Sequence, residues 1–327
     1  MIGCQTDVDI EAKAKISDVG SIPEGFPAID FPEDNTFSLE RWKLGKRLFF
    51  DSRLSKDSTV SCGSCHKPHL AFSDNVAKTN GVFKRSGTRN APTLTNVAYQ
   101  PYYTREGGIK TLEQQVLVPI QEHNEFGFNI LEITKRLKSD SSYQTMSIKA
   151  YNEPLNYSVL VKAIATFERT IISGNSAYDK YAIHGNKTKF SSFEADGMEL
   201  FFGSKTNCSS CHGGLNFTDY SFQNNGLYAS YFDSGRMRLT GEDADDGKFK
   251  VPTLRNIGVT APYMHDGSIE TLESVVDHYN TGGHHHRNKS PHIKPLHLTD
   301  LEKRQLVAFL HTLTDHDFLN NSHFKNQ

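Results

Sequence analysis

The sequence predicts a mainly α-helical protein of two domains with long loops, related by internal duplication. Three observations point there. A set of short motifs occurs twice in the same order, apolar residues recur at helical intervals, and strand-like alternation is scarce. The 327-residue length allows two sizeable cores.

Each element has its own support. From Ser158 to Ser173, Leu160, Ile164, Phe167 and Ile171 follow a helical period, which Gly174-Asn175-Ser176 breaks. Ser191-x-x-Glu194 and Thr299-x-x-Glu302 read as capping boxes that start helices ending near Gly203 and Leu313. Two segments rich in Leu, Gly and Phe, Leu44–Phe50 and Gly197–Phe202, precede the two cysteine motifs. Downstream, Ala91-Pro92-Thr93-Leu94-Thr95-Asn96 is echoed by Val251-Pro252-Thr253-Leu254-Arg255-Asn256. Gly108-Ile109-Lys110-Thr111-Leu112-Glu113 is then echoed by Ser268-Ile269-Glu270-Thr271-Leu272-Glu273, at the same interval from each proline. Two independent echoes at one spacing are improbable by chance.

Composition narrows the function. With 36 basic and 38 acidic side chains the formal charge is −2, and no basic tract marks a nucleic-acid or anionic-lipid partner. No apolar run approaches the roughly 18 residues of a membrane span. Four of the five cysteines lie in Cys62-Gly63-Ser64-Cys65-His66 and Cys208-Ser209-Ser210-Cys211-His212. In C-x-x-C-H the two thiols can capture the haem vinyl groups and the histidine falls under the iron. A zinc site or a thioredoxin-like redox pair competes. Two complete motifs with no other cysteine nearby favour two covalent c-type haems. The design is therefore two cytochrome c-like haem domains, residues 22–185 and 186–327. Residues 1–21 are read as a leader or tether. Met1-Ile2-Gly3-Cys4 has the small-residue-then-Cys pattern of a lipoprotein cleavage site, so a lipid anchor at Cys4 is expected; an incidental cysteine is the plainer reading.

Taken together, Leu44–Ser55, Ser61–Asp74, Arg89–Asn96, Phe167–Thr170 and Phe249–Asp266 resemble the bacterial dihaem cytochrome c peroxidase family, which includes the MauG-type enzymes. The resemblance implies a periplasmic enzyme that reduces hydrogen peroxide with electrons from a small redox protein, a cytochrome c or cupredoxin. It implies electron flow from the C-terminal haem, on His212, to a peroxidatic haem on His66. On Leu112–Gly127 it implies Glu125 as the acid–base residue, Gln115 as the ligand-orienting group and Pro119 crowding the distal face. A homodimer is compatible with it.

Departures from the family pattern matter as much. Where many members carry a distal loop histidine this chain has Val82, and His69 lies too close to His66 to reach over the haem. The first haem is therefore expected to be five-coordinate at rest. For the second haem, the repeat sets Tyr279 opposite Pro119 and Met264 opposite Thr104, favouring Tyr279 as sixth ligand with Met264 the alternative. Arg105 stands where the family has an inter-haem tryptophan; Tyr103 is a possible substitute, and the only tryptophan is Trp42. The resemblance also implies calcium at the Asn90 side chain and the Thr260 and Pro262 carbonyls. His284-His285-His286 reads as a solvated loop. Two rival functions stand beside the peroxidase: a MauG-like oxidase of a protein or aromatic substrate, and a dihaem electron carrier without catalysis.

Overall fold

The computed structural model describes residues 16–183, 185–186 and 190–326, so Cys4 and most of the proposed tether lie outside the described residues. Helices dominate. In chain order they are α1 (Leu39–Phe49), α2 (Cys62–Cys65), α3 (Leu112–Gln121), α4 (Ile130–Leu137), α5 (Ser141–Tyr151), α6 (Tyr157–Arg169), α7 (Ala177–Ala182) and α8 (Ser192–Phe202). There follow α9 (Met237–Thr240), α10 (Leu272–Thr281), α11 (Asp300–His311) and α12 (His316–Leu319). Two short antiparallel strands, β1 (Phe222–Gln223) and β2 (Phe249–Lys250), make the one sheet among the described residues.

The expected caps are in place. Ser191 accepts from the Glu194 amide at the start of α8, and Thr299 from the Glu302 amide at the start of α11. Each capping glutamate bonds back to the cap residue's amide, satisfying two otherwise orphaned donors.

Two aromatic-rich cores result. In the first, Leu44, Leu48 and Phe49 of α1 pack on Leu160, Ile164 and Phe167 of α6, with Phe72 from the loop. In the second, Phe201 of α8 packs on Leu306, Phe309 and Leu310 of α11, with Phe217 from the loop. The pairings correspond in detail. A Cβ on Gly45 would fall on the Ala163 carbonyl oxygen, and one on Gly197 on the Gln305 carbonyl oxygen, so each glycine lets two helices approach closely. The chain also crosses between the cores: Tyr178 of α7 packs against the second, and Phe318 and Phe324 against the first.

The echoed asparagines fasten the halves together. Asn96 and Asn256 both adopt left-handed backbone. Asn96 Nδ2 donates to the Ser173 carbonyl at 2.9 Å, and Asn256 Nδ2 donates to Ser173 Oγ at 3.0 Å. Asp315 Oδ2 accepts from Ser173 Oγ and from the Gly174 and Asn175 amides. A buried Arg255–Asp179 pair, with contacts of 2.9 and 3.1 Å, clamps α7 to the second half.

Candidate haem sites

Each cysteine motif forms one tight turn. Ser61 and Ser64 make a reciprocal cap on α2, which sets Cys62 and Cys65 on one face and leaves His66 as the terminal residue. His66 Nδ1–H donates to the Phe72 carbonyl at 2.9 Å, so the ring is oriented and Nε2 is left for a ligand. His212 repeats this, with Nδ1 at 3.2 Å from the Phe217 carbonyl. Burial pulls both imidazoles below the usual histidine range, the direction that favours the neutral ring iron ligation requires.

The rival readings of the motifs fare poorly. Burial pushes the Cys65 thiol up to about 12 and raises the Cys62 thiol well above its ordinary range, the reverse of an activated redox pair. Among the described residues no group of three or more His, Cys, Asp or Glu side chains is arranged to hold a metal ion by itself.

Two cavities adjoin the motifs. The first, about 620 Å³, is lined by Cys62, Cys65 and His66 together with Gln115, Pro119, Glu125 and Glu168. Gln115 Oε1 is buried there with no hydrogen-bond partner. An orphaned acceptor beside two free thiols and an oriented imidazole fits a haem site that also admits a hydrogen-bonding ligand. Pro119 stands inside α3 and supplies no amide to the Gln115 carbonyl one turn back. Glu125 follows α3, its side chain open to the cavity yet enclosed by surrounding protein. This burial, with the negative charge of Glu122 added, pushes its carboxyl up to about 7.

Val82, at the place of the family's loop histidine, is fully buried and donates its amide to the Glu125 carbonyl at 2.8 Å. A Cβ on neighbouring Gly81 would strike the backbone of Asn124 and Glu125, so this loop lies directly against the distal segment. His69 is exposed and lines neither cavity.

The second cavity, about 240 Å³, is lined by Cys208, Cys211, His212, Met264 and Tyr279. Both candidate sixth ligands thus share it. Asn225 Nδ2 lies 3.3 Å from Met264 Sδ and 3.4 Å from Tyr279 Oη. Helix α10 begins at a threonine cap, Thr271, as α3 begins at Thr111. Tyr279 therefore holds the same place along α10 that Pro119 holds along α3. Thr104 and Met264 likewise share positive φ, beside matching Tyr103–Ile109 and Tyr263–Ile269 bridges.

Arg105 lines both cavities. Tyr103 lines neither and packs with Val97, Leu112 and Ala165 as core. Trp42 is also core, its indole N–H donating to Thr170 Oγ1 at 2.8 Å. Asn90 donates through Nδ2 to the Val76 carbonyl at 3.2 Å, while its Oδ1 takes no hydrogen bond from the described residues. One expectation needs correcting. His284 and His285 are exposed, but His286 is buried, with Nδ1 at 3.1 Å from Asn224 Nδ2 and Nε2 at 3.4 Å from an Asp246 oxygen. The ring is fixed by these two distant residues together with the nearby Asn288 amide, which donates to Nδ1 at 3.1 Å.

Glu168 and Lys250 escaped the sequence reading. Glu168 is a buried acid in the first cavity, pushed up to about 8 by burial. Lys250 lines the second cavity, pulled down to about 8 by burial and by the charge of Arg105. The signal available was a charge inside otherwise apolar helical sequence for Glu168, and inside Phe249-Lys250-Val251 for Lys250.

Two helical halves, each presenting a C-x-x-C-H turn to its own cavity, define a dihaem c-type protein. Comparison with known proteins makes this specific. Residues 39–188 match the family described as di-haem cytochrome c peroxidase. The chain is 34% identical over 317 residues to the methylamine utilization protein MauG of Methylorubrum extorquens, covering 95% of this chain and 89% of that protein. It is 35% identical over 277 residues to the cytochrome c551 peroxidase of Nitrosomonas europaea, covering 83% of this chain and 79% of that protein. The crystal structure of a MauG-like protein associated with microbial copper homeostasis superposes with a TM-score of 0.89 at 34% identity, over 93% of this chain and 97% of that one. The chain belongs to the dihaem cytochrome c peroxidase family, and is an oxidoreductase carrying two c-type haems.

Proposed function

We propose that this enzyme reduces hydrogen peroxide to water in the first cavity, with electrons that enter through the second. The observation that carries this is the convergence of Gln115, Pro119 and Glu125 on the cavity of His66, with Gln115 Oε1 buried and unpartnered. Cys62, Cys65 and His66 would hold the haem, which when bound would supply the redox chemistry. Gln115 Oε1 accepts a hydrogen bond from peroxide O–H and so orients the substrate. Glu125 takes a proton from one peroxide oxygen and returns it to the other, which leaves as water. Pro119 narrows the space without offering a competing donor. Overall, peroxide, two electrons and two protons become two waters. Glu125→Gln should abolish most turnover while leaving both haem spectra nearly intact; full turnover in that variant overturns the assignment.

The two sites are read as unequal copies of one domain, residues 22–185 and 186–327. His66 and His212 would hold the two haem irons, and Tyr279, with Met264 the alternative, would close the second site. The larger first cavity, about 620 Å³ against about 240 Å³, supports one open face and one closed. Calcium at Asn90, Thr260 and Pro262 is supported by Asn90 Oδ1, which takes no hydrogen bond from the described residues. The Arg105 guanidinium on the Asn90 carbonyl, at 2.8 Å, repels a cation there, so calcium should be held weakly and chelation followed by metal analysis should remove it. A periplasmic location, a small cytochrome c or cupredoxin as donor, a lipid anchor through Cys4 and a homodimer complete the reading.

A second reading is favoured by two observations, Tyr279 and the absent loop histidine. It is a MauG-like oxidation of a protein or aromatic substrate. Arg105 counts against it, since no indole lies between the haems. Stopped-flow mixing with peroxide separates the two. Catalytic oxidation of a reduced small cytochrome supports the peroxidase, and a long-lived oxidised state that ignores the cytochrome supports the rival. A carrier without catalysis has no use for Gln115 and Glu125.

A further inference from the structure

Two cations between the cavities, Arg105 and Lys250, have only neutral direct hydrogen-bond partners among the described residues. Arg105 donates from Nη2 to the Asn90 carbonyl at 2.8 Å, a neutral acceptor. A guanidinium has five N–H donors and stays charged, so most of its capacity is left for something else in the cavities it lines. The nearby carboxylates are engaged elsewhere. Glu106 and Asp233 pair with Arg89 at 2.6 and 2.5 Å, and Asp266 accepts from the Tyr228 hydroxyl at 2.6 Å. Lys250 is in the same state, its Nζ donating to Gln100 Oε1 at 2.6 Å and to the Tyr102 carbonyl at 2.8 Å, both neutral.

Burial makes these charges costly as they stand. It pulls Lys250 down to about 8, with the Arg105 charge adding repulsion. Enclosed cations persist where an anion meets them. The anions that haem brings are its propionate carboxylates. Arg105 borders both cavities, whereas Lys250 borders the second alone.

We propose that Arg105 binds a propionate of each haem and so ties the two together, while Lys250 binds a propionate of the second haem only. The inference rests on the two-haem reading above. Arg105 is then a positioning residue that sets the potentials of both haems. A fixed positive charge favours the reduced form, and its removal lowers the midpoint. The residue at the place of the family's tryptophan thus acts through charge rather than through an aromatic ring.

The test is a spectroelectrochemical titration of the full-length holoprotein, with the haem count taken alongside. Arg105→Gln should lower both midpoints by about tenfold in each redox equilibrium, about 59 mV for one electron. Lys250→Gln should lower the second alone. Arg105→Lys, which keeps the charge, should restore most of the loss. Midpoints in Arg105→Gln within twofold of wild type overturn the proposal, as does equal loss in Arg105→Lys. Should Arg105→Gln fail to take up haem, resonance Raman of the wild type decides. Propionate bending bands shifted by strong hydrogen bonding at both haems support the bridge, and unshifted bands overturn it. Fewer than two haems in the wild type overturns the reading underneath instead.

Discussion

Glu125 should set the pH dependence of peroxide reduction, and Glu122 should tune it. Burial, reinforced by the Glu122 charge, pushes the Glu125 carboxyl from 4.5 to about 7. A group that must first accept a proton works as the carboxylate, so activity falls on the acid side. With a midpoint near 7, about half of the enzyme is competent at pH 7, about one tenth at pH 6 and about nine tenths at pH 8. Below pH 6, kcat/KM for peroxide should therefore drop about tenfold per pH unit. Glu122→Gln removes the smaller of the two causes. Its midpoint should move to lower pH yet stay above 4.5, because burial is untouched. The assay is steady-state oxidation of a reduced small cytochrome by peroxide across pH at constant ionic strength, since salt screens the Glu122 contribution. An identical midpoint in wild type and Glu122→Gln, or an unchanged profile in Glu125→Gln, would refute the reasoning.

Other consequences are as direct. Gly45→Ala and Gly197→Ala each place a Cβ on a facing helix carbonyl, and forcing the helices apart should cost about 1–3 kcal/mol. Thermal unfolding of the holoprotein reads this, and an unchanged midpoint contradicts the close-approach account. Tyr279→Met should raise the potential of the second haem, because a thioether favours reduced iron; an unmoved potential removes Tyr279 as the ligand. The resting ferric protein should give one high-spin and one low-spin EPR signal, since the buried Val82 offers no ligand. Two low-spin signals would end the idea of an open first haem.

Sequence patterns that rest on local geometry were legible. Capping boxes at Ser191 and Thr299 depend on residues three apart, and both helices begin where the pattern places them. The cysteine motifs are equally local, since one turn brings two thiols and an imidazole to a single cavity wall. His286 differs from the sequence expectation because two of its three ring partners, Asn224 and Asp246, lie far away in sequence. Glu168 was passed over for the same reason: its burial is made by elements distant from α6.

The sequence alone determined the chemistry available: two haem attachment turns, a set of echoed motifs in constant register, and a short stock of distal side chains. Only the tertiary structure decided which charges stand in which cavity. It raised Glu125 toward neutrality, pressed the Val82 loop against the distal segment, and set Arg105 on a wall common to both sites. The physical reason is that spacing follows from bonds along the chain. Burial and electric field are instead sums over neighbours from everywhere in the fold.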